Sequence, residues 1–147
     1  MSASNAFETS LLQLIFNNTN NANVGDATGL RGSTTAGSFY ISLHTGDPGE
    51  TGTQATSETA YTGYARIAVA RSGAGFTVSG NSVSNAAIVL FGTCTASAGA
   101  ACTHFGIGSD STGTGNLFFS GALGASYQPA VGNAPQFAIG ALSTTAD

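Results

Sequence analysis

Three side chains able to move protons or hold a metal, His44, Asp47 and Glu50, fall close together around the segment Gly46-Asp47-Pro48-Gly49. An imidazole between carboxylates is the chemistry of acid–base catalysis or of a metal site. Here the three straddle a proline-glycine turn, and the simpler reading is the polarity of a solvated loop. Serines are plentiful, but no G-x-S-x-G elbow accompanies them, so a Ser-His-Asp set would rest on residue type alone. Gly106-Ile107-Gly108 and Gly113-Thr114-Gly115 lack the third glycine and following helix of a dinucleotide loop, and read as turns. Cys94 and Cys102 do not form a C-x-x-C, and zinc would have to draw on the two histidines of the chain, His44 and His104. The two cysteines bracket the small-residue loop Thr95 to Ala101 and can face each other across a hairpin; a disulfide and a pair of thiols both fit. His104 alternates with Phe105 and is expected on an outer sheet face or at an interface. No convergent acid, base and nucleophile emerges. The expectation is a chain without enzymatic activity, cofactor or metal.

The elements that hold these residues are mostly strands. From Phe39 to His44 apolar and polar residues alternate, with Phe39, Ile41 and Leu43 on one side and Tyr40, Ser42 and His44 on the other, a half-buried strand by its period of two. Asp47, Pro48 and Gly49 stop it. Glu50 to Ala60 is polar and reads as an exposed connection. Tyr61 to Arg71 is expected to return as a second strand, with Ala65, Ile67 and Val69 on one face and Arg66 and Ala68 on the other. Further on, Gly75 to Ser79, a turn at Gly80-Asn81, Val83 to Phe91, Cys102 to Ile107, Leu117 to Leu123, Ala125 to Val131 and Gln136 to Thr144 read as short strands between glycine-rich turns. The apolar run Ile88 to Phe91 is expected to be buried on both faces. Such a series predicts a mainly β fold, an antiparallel β-sandwich or jelly-roll-like domain.

Ahead of the strands stands one helix, predicted over Ser2 to Phe16. Phe7, Leu11, Leu14 and Ile15 recur at helical spacing and are the expected packing stripe. Asn5 is placed to cap it, with Glu8 three residues later as in a capping box. Residues 17–38 carry no apolar period and read as an extended arm or a long loop. The whole, 1–147, is expected to be a single domain: helix 1–16, arm or loop 17–38, sandwich 39–147.

Charge is scarce. Charged residues make up 7% of the chain and the formal net charge is −4, against roughly a quarter charged in an average soluble domain. There is no lysine; the cations are Arg31, Arg66 and Arg71. Nucleic acid is a poor partner for such a chain, because phosphate binding needs a basic patch. The apolar run Leu11 to Phe16 is too short to span a bilayer, and no membrane partner is expected. So weakly charged a surface is poorly defended against association, which points to an assembly subunit.

Taken in order, these segments resemble a family of small tailed-bacteriophage structural proteins. The resemblance rests on Tyr40 to Glu50 (YISLHTGDPGE), Gly63-Tyr64-Ala65-Arg66, Asn85 to Phe91, Thr103 to Gly108, Gly115 to Leu123 and Phe137 to Leu142. It departs in the asparagine-rich segment after the helix and in the cysteine pair. His44, Asp47, Pro48, Gly49, Tyr64 and Arg66 are the motif residues of the loop and strand. The resemblance implies a non-enzymatic virion component assembled in the host cytoplasm. Its members are head-decoration or tail-fibre proteins. The lack of heptads, repeats or a receptor-binding appendage favours a capsid decoration or cement protein, with the major capsid protein as partner. A tail or tail-fibre-associated subunit, partnered by tail proteins, is the alternative, and a small carbohydrate-binding β-sandwich comes third. Copies are expected to associate, with a trimer as the guess.

Overall fold

Helix α1 (Asn5–Asn17) comes first in the computed structural model, which describes residues 3–26, 28–96 and 98–146. The expected first residue of the helix, Ser2, lies outside them, as does Ser97 of the loop between the cysteines. The N-cap is Ser4 rather than Asn5: its Oγ accepts the Phe7 N–H at 3.4 Å. With the cap one residue earlier, Glu8 falls beyond the third helical position, and no capping box forms. At the other end Asn18 turns left-handed at φ 55°, and the Thr19 N–H reaches back to the Gln13 carbonyl at 3.0 Å. This six-residue closure satisfies an end carbonyl, and asparagine tolerates the conformation it needs.

The buried helix positions are Glu8, Leu12 and Phe16. Phe7 is 43% exposed, and Leu11, Leu14 and Ile15 are half-buried. The inward stripe is therefore displaced by one position from the expected Phe7, Leu11, Leu14 and Ile15. Apolar residues occupy most of the helix circumference, so spacing alone does not choose a face. The aromatic contact does: the Phe16 ring meets Phe76 edge-on at 5.0 Å.

Nine strands follow among the described residues: β1 (Ser38–His44), β2 (Ile67–Ala70), β3 (Phe76–Ser79), β4 (Ser82–Asn85), β5 (Val89–Leu90), β6 (Cys102–Gly108), β7 (Leu117–Tyr127), β8 (Gln136–Phe137) and β9 (Ser143–Thr145). They form sheets in the orders β2-β1-β6-β7, β3-β4-β9 and β5-β8. The fold is mainly β with antiparallel pairing and one N-terminal helix, as expected. The run Ile88 to Phe91 is not buried on both faces. Ile88 and Leu90 are exposed while Val89 and Phe91 are buried, so four consecutive apolar residues concealed an ordinary alternation. Among the described residues no helix is long and apolar enough to cross a membrane.

The chain packs as two compact units. One is built from Met1–Ser38, Val69–Val89 and Phe137–Asp147. Two polar hubs hold it. The Arg71 guanidinium donates to the Leu14 and Ile15 carbonyls at 3.0 and 2.7 Å and to the Ala36 carbonyl at 3.0 Å. A cation thus satisfies carbonyls in the last turn of α1, where the helix dipole favours positive charge. Asn85 is 1% exposed; its Nδ2 donates to the Ala87 and Ala138 carbonyls and its Oδ1 accepts the Leu142 N–H. That amide ties the C-terminal stretch to β4. The segment expected as an arm or loop is a folded loop: Asn21 and Leu30 exchange both backbone hydrogen bonds at 2.9 Å, and the Asn18 side chain bonds the Ser33 N–H and carbonyl.

The other unit is Phe39–Ala68 and Leu90–Gln136. Its β1 is sandwiched between β2 and β6, with Ile41 opposite Ile107 and His44 opposite His104. Phe39, Ile41, Leu43 and Ile107 are buried. β1 is covered on both faces over its second half, which is why polar Ser42 and His44 end up inside.

Phe16→Ala should lower stability by about 3–5 kcal/mol, the cost of a cavity in place of a buried ring. Phe7→Ala should stay within about 0.5 kcal/mol. Urea unfolding of the two variants checks which helix face points inward.

Candidate functional site

His44, Tyr64 and Arg66, singled out in the sequence, lie in the second unit, where they take part in internal hydrogen bonds. Arg66 is 8% exposed. It grips Glu58 bidentately: Nε donates to Oε1 and Nη2 to Oε2, both at 2.7 Å. Its remaining donors reach the Asp110 carbonyl at 2.9 Å and the Gly113 carbonyl at 2.6 Å. Glu58 also accepts the Tyr64 hydroxyl at 2.8 Å, and that hydroxyl in turn accepts the Leu43 N–H of β1 at 3.1 Å. Gln54, fully buried, continues the web: Nε2 donates to the Tyr40 carbonyl and Oε1 accepts the Asp110 N–H. The connection Glu50 to Ala60, expected to be exposed, is thus anchored through Gln54 and Glu58. Burial pushes the Tyr64 hydroxyl far above its ordinary value, and the carboxylate beside it acts the same way. The same carboxylate keeps Arg66 firmly charged.

His44 is not solvated loop polarity. It is 0% exposed, because the strand that carries it is covered on both sides. Its Nδ1 lies 2.8 Å from the Thr56 carbonyl, which can only accept, so the proton sits on Nδ1. Nε2 then accepts the Ser42 hydroxyl at 2.8 Å. Desolvation holds the imidazole below its ordinary value, and it stays neutral. A serine–histidine contact of this length resembles an activated nucleophile. Ser42 is itself 0% exposed, so no substrate reaches it. Gly106 seals the pair: a Cβ there would come within 2.6 Å of His44 Nε2 and 2.7 Å of Ser42 Oγ. Gly108 likewise makes room for Gln54, whose Cδ would lie 2.1 Å from an added Cβ. Both glycines lie within β6 and serve close approach, not the turn read from the sequence. Gly113 and Gly115 do sit at a turn, with φ 74° and 55°.

Cys94 and Cys102 are buried thiols. Burial pushes the Cys102 thiol up. Both lie near Tyr61, whose own hydroxyl is pushed up to about 12 by burial and donates to the Gly92 carbonyl at 2.8 Å. Of the remaining motif residues, Pro48 is buried, while Asp47 and Gly49 are exposed. Asp47 Oδ1 accepts the Gly49 N–H at 2.9 Å and so closes its own turn.

That turn forms one wall of an open groove of about 550 Å³. Asp47 and Glu50 face His104, Leu117, Phe118 and Ser120 across it. His104 is half-buried and its Nδ1 meets Thr103 Oγ1 at 2.9 Å. Of the three residues first suspected of chemistry, Asp47 and Glu50 line the groove and buried His44 does not. Among the described residues no group of three or more His, Cys, Asp or Glu could hold a metal ion. Two carboxylates, an imidazole and a hydroxyl line it and can exchange hydrogen bonds with what enters.

Sequence reasoning missed Glu58 and Gln54. For Glu58 a signal existed: a buried arginine needs an acidic partner, and few acids are available in so weakly charged a chain. Gln54, in a run of threonines and alanines, carried none.

Two predictions follow from this geometry. Glu58→Gln leaves the buried guanidinium without its counter-charge and should cost about 3–5 kcal/mol, against at most about 0.5 kcal/mol for exposed Glu50→Gln; denaturant midpoints measure both. The second concerns pH. His44 is harder to protonate folded than unfolded, so below about pH 6.5, the unperturbed value, the unfolded chain binds the proton first and stability falls. Melting temperatures between pH 7.5 and 5.5 should drop for the wild type and for His104→Asn, and should flatten for His44→Gln.

A family model described as Podophage GP4 fiber I protein gp80 matches residues 2–145. Among curated proteins, none matches the chain.

Proposed function

Because the chain belongs to the Podophage GP4 fiber I protein gp80 family, a family of phage structural proteins, we propose that it is a non-catalytic, fibre-associated subunit of a phage tail. The match over residues 2–145 is the observation that carries this reading. It favours the fibre over the capsid decoration role expected from the sequence, since the family description names a fiber and no head protein. The geometry is in keeping with a structural part. The basic side chains Arg66 and Arg71 are engaged internally, and the one serine–histidine pair described above is sealed. On this reading the partners are other tail proteins and further copies of the chain, with no nucleic acid and no membrane, and the protein resides in the virion.

Cryo-electron microscopy of particles carrying a tagged copy should find the tag on the tail side of the particle. Particles lacking the protein should keep their DNA through osmotic shock while adsorption to host cells falls at least tenfold. Loss of DNA with normal adsorption would restore the head reading and overturn this one.

A further inference from the structure

The arginines of the chain are Arg31, Arg66 and Arg71. Arg66 and Arg71 bond acceptors inside the fold. Arg31 is exposed, and among the described residues its guanidinium meets no carboxylate. The backbone on either side of it is fixed. Leu30 exchanges both backbone hydrogen bonds with Asn21 at 2.9 Å, and Gly32 gives its N–H to Asn20 Oδ1 at 2.9 Å. An added Cβ at Gly29 or Gly32 would collide with the carbonyls of Asn21 and Asn18, so the loop closes tightly around this stretch. Arg31 is thus presented from ordered backbone, which lowers the entropy lost on making a contact.

The exposed acids divide in a complementary way. Asp26 Oδ1 accepts the Thr28 and Gly29 N–H groups and the Thr28 hydroxyl, and the Asp110 carboxylate accepts the Ser109 hydroxyl. Asp47 uses one oxygen on the Gly49 N–H. Its other oxygen and the Glu50 carboxylate are left unengaged among the described residues. Both residues line the open groove of about 550 Å³, together with His104, Leu117 and Ser120. No arginine is among its lining residues.

We propose that this groove receives Arg31 from a second copy of the chain. The guanidinium forks onto Glu50 and the open oxygen of Asp47, while its methylene stem lies along Leu117. Charge selects the occupant: the groove holds carboxylates and no arginine, and a second copy brings a guanidinium without a carboxylate. An ion pair between groove walls is screened less than one on an open face, and it sets register and orientation more than bulk affinity. Two different patches meet, so copies can close a ring, the expected trimer included. The contact rests on the reading above only in taking further copies as partners; it is indifferent to tail or head.

Sedimentation velocity on the purified full chain tests it. The wild type should self-associate. Arg31→Glu and Glu50→Arg should each weaken association at least tenfold, with unchanged circular dichroism. Both changes in one chain should regain it at least in part, which two separate folding defects would not. Asp110→Asn, which removes an exposed acid outside the groove, should leave association unchanged. Should a charge-reversed variant fail to fold, cross-linking decides. A short bis-maleimide should join Arg31→Cys to Glu50→Cys in a mixture of the two, and should not join Arg31→Cys to Asp110→Cys. The native Cys94 and Cys102 are 0% exposed and do not compete. A monomeric wild type, whatever else the groove then holds, overturns the proposal. So does association indifferent to Arg31→Glu, a double variant that recovers nothing, or equal cross-linking of the two mixtures. None of these results moves the tag or the adsorption defect by which the tail reading is judged.

Discussion

The second unit depends on one constraint: a guanidinium taken out of water must find its counter-charge and fill its donors. Removing an ion from water costs several kcal/mol even after relaxation, and Arg66 meets that cost with two carboxylate oxygens and two backbone carbonyls. The carbonyls belong to Asp110 and Gly113, residues of the turn between β6 and β7. Glu58 lies in the connection after β1, and Tyr64 links it to the Leu43 N–H of β1 itself. One buried cation therefore fixes two loops against the sheet. The planar fork of arginine makes this possible, because lysine presents one ammonium on a flexible stem and cannot bridge a carboxylate bidentately.

The first unit places its cation against partial rather than full negative charges. Arg71 meets carbonyls of the last helical turn and of the loop that follows. Helix-end carbonyls carry partial negative charge and lack intrahelical donors, so the cation and the helix end satisfy each other. Asn85 plays the neutral counterpart, using two donors and one acceptor of its amide on three backbone groups. Buried polar groups in this chain are anchors for irregular backbone, which accounts for a fold with many short strands and long connections.

Much of this was legible as pattern and little as role. Alternation from Phe39 to His44 located β1, and Gly80-Asn81 located the β3–β4 turn. The pattern could not say that β1 is covered on both faces, because that depends on which strands flank it; His44 was accordingly read as loop polarity. The helix was found but its face was not, since the apolar residues of α1 spread over more than half its circumference and the choice is made by the distant ring of Phe76. Tyr61 to Arg66 looked like strand, yet only Ile67–Ala70 pairs; the preceding residues take their course from side-chain bonds at Tyr64 and Arg66. Gly106 and Gly108 read as turn residues because glycine has two uses, and only the positions of Ser42, His44 and Gln54 reveal that close approach is the one at work.

The scarcity of surface charge now has a structural reading as well as a compositional one. Of the charged side chains, Arg66 and Glu8 are buried, Glu58 and Arg71 are partly buried, and Glu58, Arg66 and Arg71 are held in internal bonds. The exposed ones among the described residues are Asp26, Arg31, Asp47, Glu50 and Asp110, four acids and one base. Such a surface exerts little electrostatic steering on a partner and offers few ion pairs to stabilise a contact. Association must then rely mostly on shape and apolar area, terms that salt screens weakly. A phage structural subunit, in whatever ionic strength its particle meets, has a physical reason to carry few charges.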